Sequence, residues 1–302
     1  MMASGASLCN NCCLMYTFTA NKNHLILMRI ANKTSAFIAI VLLAGLTACS
    51  SSSKTSKAAK KSHDDLLMAV AWYQNSAEMT ALYYQGFNIA RMRLDESLAQ
   101  GWQLKPLAVV VDIDETMLDN SPFETTLINT PDSQEGWYDW TARATAKALP
   151  GALEFAQYTQ SKKVELFYIT NRDDRERANT LINLQREGFP FADEAHLLTK
   201  SDLSYSSGNT SSKVERRARV SEKFEIILLI GDNLNDFSGI FENRSENYGK
   251  DAVALNKELF GKRFIVLPNP MYGAWEKPLF DYQEGLDQKQ KSVLLKSKLR
   301  SQ

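Results

Sequence analysis

Four runs along the chain are apolar at nearly every position: Leu107 to Val111 (LAVVV), Val164 to Ile169 (VELFYI), Glu225 to Ile230 (EIILLI) and Arg263 to Leu267 (RFIVL). Short continuous runs with a β-branched bias fit strands buried on both faces. Between them, apolar positions recur at helical spacing. Pro150 opens one such segment (PGALEFAQYTQSKK) in its first turn, where the missing N–H costs nothing. Asp174 to Arg186 and Lys213 to Lys223 are two more. Strands alternating with amphipathic helices predict an α/β fold, a doubly wound and mostly parallel sheet.

Upstream of the first strand the rhythm is helical only. Leu66, Leu67, Val70, Trp72 and Tyr73 lead into Met79, Leu82, Tyr83, Phe87 and Ile89, with a break near Asn75. Two or three helices are expected over residues 63–104. Together with residues 120–149 they are expected to contribute a smaller helical subdomain over the site. Ser201 to Ser212 (SDLSYSSGNTSS) reads as a loop, and there is no internal repeat.

The N-terminal part carries a different signal. Met28 to Lys33 is short and basic, Ala36 to Leu43 (AFIAIVLL) is apolar, and Leu46-Thr47-Ala48-Cys49 ends in small residues and a thiol. That order describes a secretory signal. A cysteine directly after the small residues resembles the bacterial lipobox, where the thiol is lipidated and the chain is cut before it. The expected organisation is a doubtful extension over 1–27, a lipoprotein signal peptide over 28–48, a flexible polar tether over 49–62 and one folded domain over 63–302. Cys9, Cys12 and Cys13 lie in the extension, without a second ligand pair to make a metal site. After processing at Cys49 no other cysteine remains, so no internal disulfide is expected.

Composition narrows the function classes. The chain has 302 residues, 44% of them apolar, and zero formal net charge. No basic face is implied, and a nucleic acid polymer is not an expected partner. The histidines, His24, His63 and His196, are far apart in sequence, which argues against a histidine-rich metal site.

The chemistry gathers where the apolar runs stop. The first ends in Asp112-Ile113-Asp114-Glu115-Thr116, the second in Thr170-Asn171-Arg172, the third in Gly231-Asp232-Asn233-Leu234-Asn235-Asp236, and Lys213 falls between the last two. In an open parallel sheet, ligands bind at the carboxyl ends of the strands. Like charges crowded at a buried rim are costly unless a cation neutralises them, and hard oxygen donors suit Mg²⁺. A carboxylate held there can attack phosphorus, and a second acid can protonate the departing oxygen.

Asp112-x-Asp114-x-Thr116, Thr170, Lys213 and Gly231-Asp232-x-x-x-Asp236 match, in order, the four motifs of the haloacid dehalogenase superfamily. Within it, DIDETMLDNSP, FYITNR, GDNLNDF and LPNPMYGAWE, together with the lipobox, resemble the bacterial class C acid phosphatases, the lipoprotein e type of 5′-nucleotidase. The resemblance implies a haloacid dehalogenase-like Rossmannoid sheet with a smaller cap. It implies Asp112 as nucleophile and metal ligand. Asp114 would be general acid/base and ligate Mg²⁺ through its main-chain carbonyl. Thr170, Lys213 and the backbone near Ile113 would bind the phosphoryl group. Asp232 would complete the metal site, supported by Asp236. Trp137 and Tyr272 would stack a substrate ring, with Trp140 a third aromatic in a matching segment. Asn235 departs from the pattern, where relatives often carry Asp.

The expected activity is Mg²⁺-dependent hydrolysis of small phosphomonoesters through an aspartyl-phosphate. Nucleoside 5′-monophosphates and nicotinamide mononucleotide are the implied substrates. The expected location is the bacterial outer membrane, by a lipid anchor on Cys49, facing periplasm or cell surface. A catalytically silent surface-binding lipoprotein on the same fold is the alternative, although it would be free to lose Asp112 or Asp232. A mutase or phosphonatase would need a distinct base from a cap insertion. A dinucleotide-binding oxidoreductase would need Gly-x-Gly-x-x-Gly after the first strand, and Asp-Ile-Asp-Glu-Thr stands there instead.

Overall fold

The computed structural model describes residues 64–101, 104–128, 134–202 and 211–301. The expected extension, signal peptide, lipidation site Cys49 and tether lie outside the described residues, as does most of the Ser201 to Ser212 loop. The order of elements is α1 (Asp64–Asn75), α2 (Ala77–Ala99), β1 (Leu107–Val111), β2 (Leu118–Asp119), α3 (Ser121–Leu127), α4 (Gln134–Arg143), β3 (Lys147–Ala148), α5 (Ala152–Ser161), β4 (Glu165–Ile169), α6 (Asp174–Arg186), β5 (Leu197–Leu198), α7 (Val214–Lys223), β6 (Glu225–Gly231), α8 (Lys250–Leu255), β7 (Phe264–Val266) and α9 (Gln288–Lys298), with short 3₁₀ turns between several of them.

Five strands form one sheet in the order β5-β4-β1-β6-β7, and every pairing is parallel. β1 is central, with Val111 opposite Tyr168 on one side and Ile230 on the other. Alternate residues feed opposite faces. Val109 and Val111 join Leu166, Tyr168, Leu228 and Ile230 in one core, while Ala108 and Val110 join Phe167, Ile169 and Leu229 in the second. Both faces are covered, so the run has no polar position to spare. The apolar pattern of the sequence therefore places the four main strands.

The first core takes α2 and α5, whose Phe87 and Phe155 rings meet at 5.5 Å, and the second takes α7 through Val220 together with Phe237 and Phe241. Gly86 lets α2 lie close on β7: a Cβ there would fall 2.6 Å from Leu267 Cδ2. The expected break near Asn75 is a helix start, Ser76 accepting the Met79 N–H at 3.1 Å as N-cap of α2. α2 thus covers a face of the sheet, and α3 and α4 stand near the ends of the strands. β5 and the β2–β3 ladder carry no sequence signal, because two residues are too few for a period. Among the described residues, no helix is long and apolar enough to cross a membrane.

Candidate active site

β1, β4 and β6 are neighbours, so the segments that follow them meet at one end of the sheet. Asp112 leaves β1 with its N–H donating to the Ile230 carbonyl at 2.9 Å, which fixes it beside the end of β6. One carboxylate oxygen of each of Asp112, Asp232 and Asp236 lies within 4.8 Å of the others. Lys213, immediately before α7 and 3% exposed, ion-pairs with Asp112 and, at 2.7 Å, with Asp236.

Asp236 is held by its own loop. It closes a capping box on the 3₁₀ turn Leu234–Asp236, its Oδ2 accepting the Asn233 N–H at 2.9 Å while Oδ1 faces Lys213. Gly231 is required for that fold-back, since a Cβ there would lie 2.6 Å from Asp236 Cβ. Asp232 Oδ2 accepts from Asn269 at 2.8 Å. Asn235, on the same cavity, accepts from Arg244 at 2.9 Å.

The electrostatics are those of a site short of positive charge. Burial pushes the Asp112 carboxyl up to about 7; Lys213 opposes the rise, and Asp236 and Asp114 add to it. Burial also raises Asp232 well above its ordinary range, with Asp112 and Asp236 contributing. Burial alone would lower Lys213, but the two carboxylates outweigh it and hold the ammonium above its ordinary value. Among the described residues, Lys213 is the one ammonium that ion-pairs with these acids, so the three carboxylates in their ionised form lack matching positive charge, a deficit that burial of Asp112 and Asp232 makes costly. A divalent cation with hard-oxygen preference fits that donor set and that deficit.

Asp114 points elsewhere. Its Oδ1 accepts from Arg172 Nη2 at 2.7 Å and Nε at 2.9 Å and from Asn120 Nδ2 at 2.8 Å. Its Oδ2 has longer contacts, 3.3 Å each, with Arg172 Nε and the Thr170 hydroxyl. The side chain of Asp114 is thus apart from the three-carboxylate cluster, leaving its main-chain carbonyl as the group a cation could use. Thr170 is fully buried; its hydroxyl also accepts the Arg172 N–H at 3.1 Å, and it lies behind the cavity wall that Asn171 and Arg172 form.

The loop between these acids is anchored from below. Glu115 adopts a left-handed conformation (φ 54°), unusual for a side chain of its size. Tyr83 donates to its carbonyl at 2.5 Å, and Tyr83 accepts in turn from Tyr73 at 2.5 Å. Glu115 Oε1 accepts the Asn120 N–H at 2.7 Å, whereas Oε2 has no hydrogen-bond partner among the described residues. Burial raises this carboxyl well above the usual range, with Asp114 and Asp232 adding.

A cavity of about 900 Å³ opens over the acids, lined by Asp112, Asp114, Lys213, Asp232 and Asp236 at its floor. Trp137, Tyr138, Tyr272 and Trp275 are also on its walls. Trp137 is braced by its N–H to Glu176 at 2.7 Å, an edge contact with Phe123 at 5.2 Å, and the Arg172 guanidinium 5.6 Å above its ring. Glu176 belongs to the capping box of α6, so the helix start also fixes the indole. Trp140 is different: it packs on the core and donates to Asn120 Oδ1 at 2.8 Å.

Arg172, Asn120 and Asn269 had no role from sequence. Each sits inside a quoted motif, but nothing in its local spacing marks it as a partner of the acids.

The structure resembles the class C acid phosphatase of Bacillus anthracis, 40% identical, covering 79% of this chain and 98% of that one, with a TM-score of 0.73. The same enzyme with tungstate bound matches with a TM-score of 0.72. Among curated proteins, acid phosphatase 1 of Solanum lycopersicum is 30% identical over 167 residues, 54% of this chain and 57% of its own length. The stem 31 kDa glycoprotein of Glycine max is 28% identical over 170 residues, 54% of this chain and 58% of its own. The chain spans a little over half the length of these curated relatives. The family model for HAD superfamily, subfamily IIIB (Acid phosphatase) matches residues 41–275. With its motifs at the ends of β1, β4 and β6 and this match across most of its length, the chain belongs to the acid phosphatases of haloacid dehalogenase subfamily IIIB.

Proposed function

We propose that this protein is a Mg²⁺-dependent acid phosphatase that hydrolyses small phosphomonoesters through an aspartyl-phosphate on Asp112. The observation that carries the reading is the convergence of Asp112, Asp232 and Asp236 within 4.8 Å at a cavity floor, with Lys213 bonded to two of them. Asp112, Asp232 and the Asp114 carbonyl would hold the cation, with Asp236 close enough to ligate directly or through water. Bound there, Mg²⁺ would offset the phosphoryl charge and keep Asp112 ionised.

In the first step an Asp112 oxygen forms a bond to phosphorus as the bond to the ester oxygen breaks, and Asp114 gives that oxygen its proton. In the second, Asp114 takes a proton from water, the water oxygen attacks phosphorus, and the Asp112–phosphorus bond breaks to release phosphate. Lys213 already bonds Asp112, so its ammonium stands where charge develops on the phosphoryl oxygens. Thr170 is read as a phosphate contact by way of its segment; its hydroxyl would have to turn from Asp114.

Trp137 and Tyr272 on the same cavity favour substrates with a planar ring, and nucleoside 5′-monophosphates or nicotinamide mononucleotide have one. Tungstate in the Bacillus anthracis enzyme is an oxyanion of phosphate-like shape, in keeping with a phosphoryl pocket. The lipobox at Cys49 adds a lipid anchor and an outer-membrane location to the proposal. The deciding experiment is acid quenching during turnover of a chromogenic phosphate ester, with mass spectrometry of the peptide that carries Asp112. A gain of one phosphoryl group in the wild type, absent in Asp112→Asn, is expected. Full turnover by Asp112→Asn would end the nucleophile assignment.

A further inference from the structure

Whatever donates a proton to the departing oxygen must present one oxygen at a fixed place. The two oxygens of Asp114 are not equivalent. Oδ1 is saturated by three donors at 2.7 to 2.9 Å, two from Arg172 and one from Asn120. Among the described residues Oδ2 has two hydrogen-bond contacts, both long at 3.3 Å, one from the same Arg172 Nε and one from the Thr170 hydroxyl. The guanidinium is itself immobilised: its side chain is 1% exposed, Nη1 donates to Thr180 at 3.2 Å and Nη2 to Asn120 Oδ1 at 3.3 Å. Asn120 is tied in turn by Trp140 at 2.8 Å and by Glu115 at 2.7 Å.

We propose that Arg172, with Asn120, clamps Oδ1 of Asp114 and so selects Oδ2 as the oxygen that exchanges the catalytic proton with the leaving group. The inference rests on Asp114 acting as acid/base. A fork-shaped cation that places its two short N–H bonds on one oxygen and only a long one on the other fixes the carboxyl plane as a lysine could not. Oδ2, held only by long contacts, is free to bond the ester oxygen. During phosphorylation the proton leaves Asp114 Oδ2 for that oxygen as its bond to phosphorus breaks and the Asp112–phosphorus bond forms. Arg172 neither gains nor loses a proton; it is a positioning residue.

The test exploits the leaving group. A dinitrophenolate departs without a proton, whereas an alkoxide does not. Values of kcat/KM cover only the steps through leaving-group departure, so water attack does not enter. For Arg172→Lys and Asn120→Ala, kcat/KM should fall about 10²–10³-fold on an alkyl phosphate, within the range for lost acid catalysis. On 2,4-dinitrophenyl phosphate it should fall less than about threefold. Thr180→Val, which removes one distant hydroxyl, should show the same selectivity more weakly and keeps the test open if Arg172→Lys does not fold. In an Asp114→Asn background Arg172→Lys should cost nothing further on the alkyl ester. Equal losses on both esters would mean a phosphoryl contact or a general structural role, and would overturn the proposal. A wild type inactive on both esters overturns the phosphatase reading, and this proposal with it.

Discussion

Lys213 Nζ lies 2.7 Å from Asp236 Oδ1, inside a pocket that gives the lysine almost no solvent. The same ammonium pairs with Asp112, so one cation from the start of α7 ties the ends of β1 and β6 together. Removing one member of a buried ionic group leaves the others uncompensated, at a cost of about 3–5 kcal/mol. Lys213→Met should therefore lower the urea midpoint of chelator-treated protein strongly. Saturating Mg²⁺ should recover part of that loss, because the ion supplies the missing charge. Activity should not recover, falling about 10²-fold or more through lost stabilisation of the phosphoryl oxygens. Urea titrations with and without Mg²⁺, read beside turnover, separate the two effects.

The acid cluster makes the metal-free protein sensitive to pH in a direction that can be worked out. Asp112 is pushed from 3.8 in the unfolded chain up to about 7 in the fold, chiefly by burial, and Asp232 is raised as well. Between about pH 4 and 7 the folded protein holds protons that the unfolded chain has released. Stability from these groups is thus fully present below about pH 4 and is lost as pH rises through 7. In EDTA, denaturant midpoints should fall from pH 5 to pH 7.5, and Asp112→Asn should flatten that decline. With saturating Mg²⁺ the decline should vanish, because the cation takes the protons' place, and turnover should return. A metal-free protein that gains stability over this interval, or an enzyme indifferent to chelator, would contradict the charge assignment.

How far the sequence discloses this arrangement depends on how each residue is positioned. Asp112, Asp114 and Asp232 are legible because a buried strand ends at a defined place and β1, β4 and β6 are adjacent, so the residue after each run has one destination. Gly231 is legible for the same reason, as a tight exit that Asp236 fills. Arg172 is not, because nothing local says that a guanidinium will turn back 58 residues to Asp114. Trp137 and Trp140 look alike in sequence, three residues apart on α4, yet one lines the cavity and the other binds Asn120. Which face of a short helix meets the cavity is decided by α6 and the Asp173–Glu176 cap, a tertiary fact. The sequence also suggests that residues 63–104 and 120–149 contribute a helical subdomain; of these, α2 adds Phe87 and Leu94 to the first core of the sheet, a packing that its helical period alone does not specify.

Glu115 offers a test of the loop beneath the acids. Among the described residues its Oε2 has no hydrogen-bond partner, and burial raises its carboxyl well above the usual range, which favours the neutral form in the fold. Glutamine has the same shape and keeps the acceptor for the Asn120 N–H. Glu115→Gln should melt close to the wild type at pH 5. At pH 8 it should be the more stable of the two, because only the wild type must keep a proton from a solvent that no longer favours it. Glu115→Ala removes the acceptor and opens a void, and should cost about 2–4 kcal/mol at either pH. Thermal melts of the three proteins at the two pH values decide the matter; equal wild-type and Gln melting at pH 8 would show that this carboxyl ionises freely.

Trp137 and Tyr272 allow substrate class to be separated from chemistry. Both line the cavity, and the indole is held by Glu176, Phe123 and Arg172 with its orientation fixed before any ligand arrives. Stacking of a base on an aromatic side chain is worth about 1–3 kcal/mol, so losing one ring should raise KM about tenfold or more for a nucleoside 5′-monophosphate. A small alkyl phosphate has no ring to stack and should be hydrolysed with unchanged kcat/KM. Trp137→Leu and Tyr272→Leu, assayed on adenosine 5′-monophosphate and on glycerol phosphate, should therefore show a selective loss on the nucleotide. Trp140→Phe should behave differently, weakening both substrates alike, because its N–H supports Asn120 and the Asp114 clamp instead of the ring. A uniform loss in all three variants would place the aromatic residues in the scaffold and leave nucleotide preference without a structural basis.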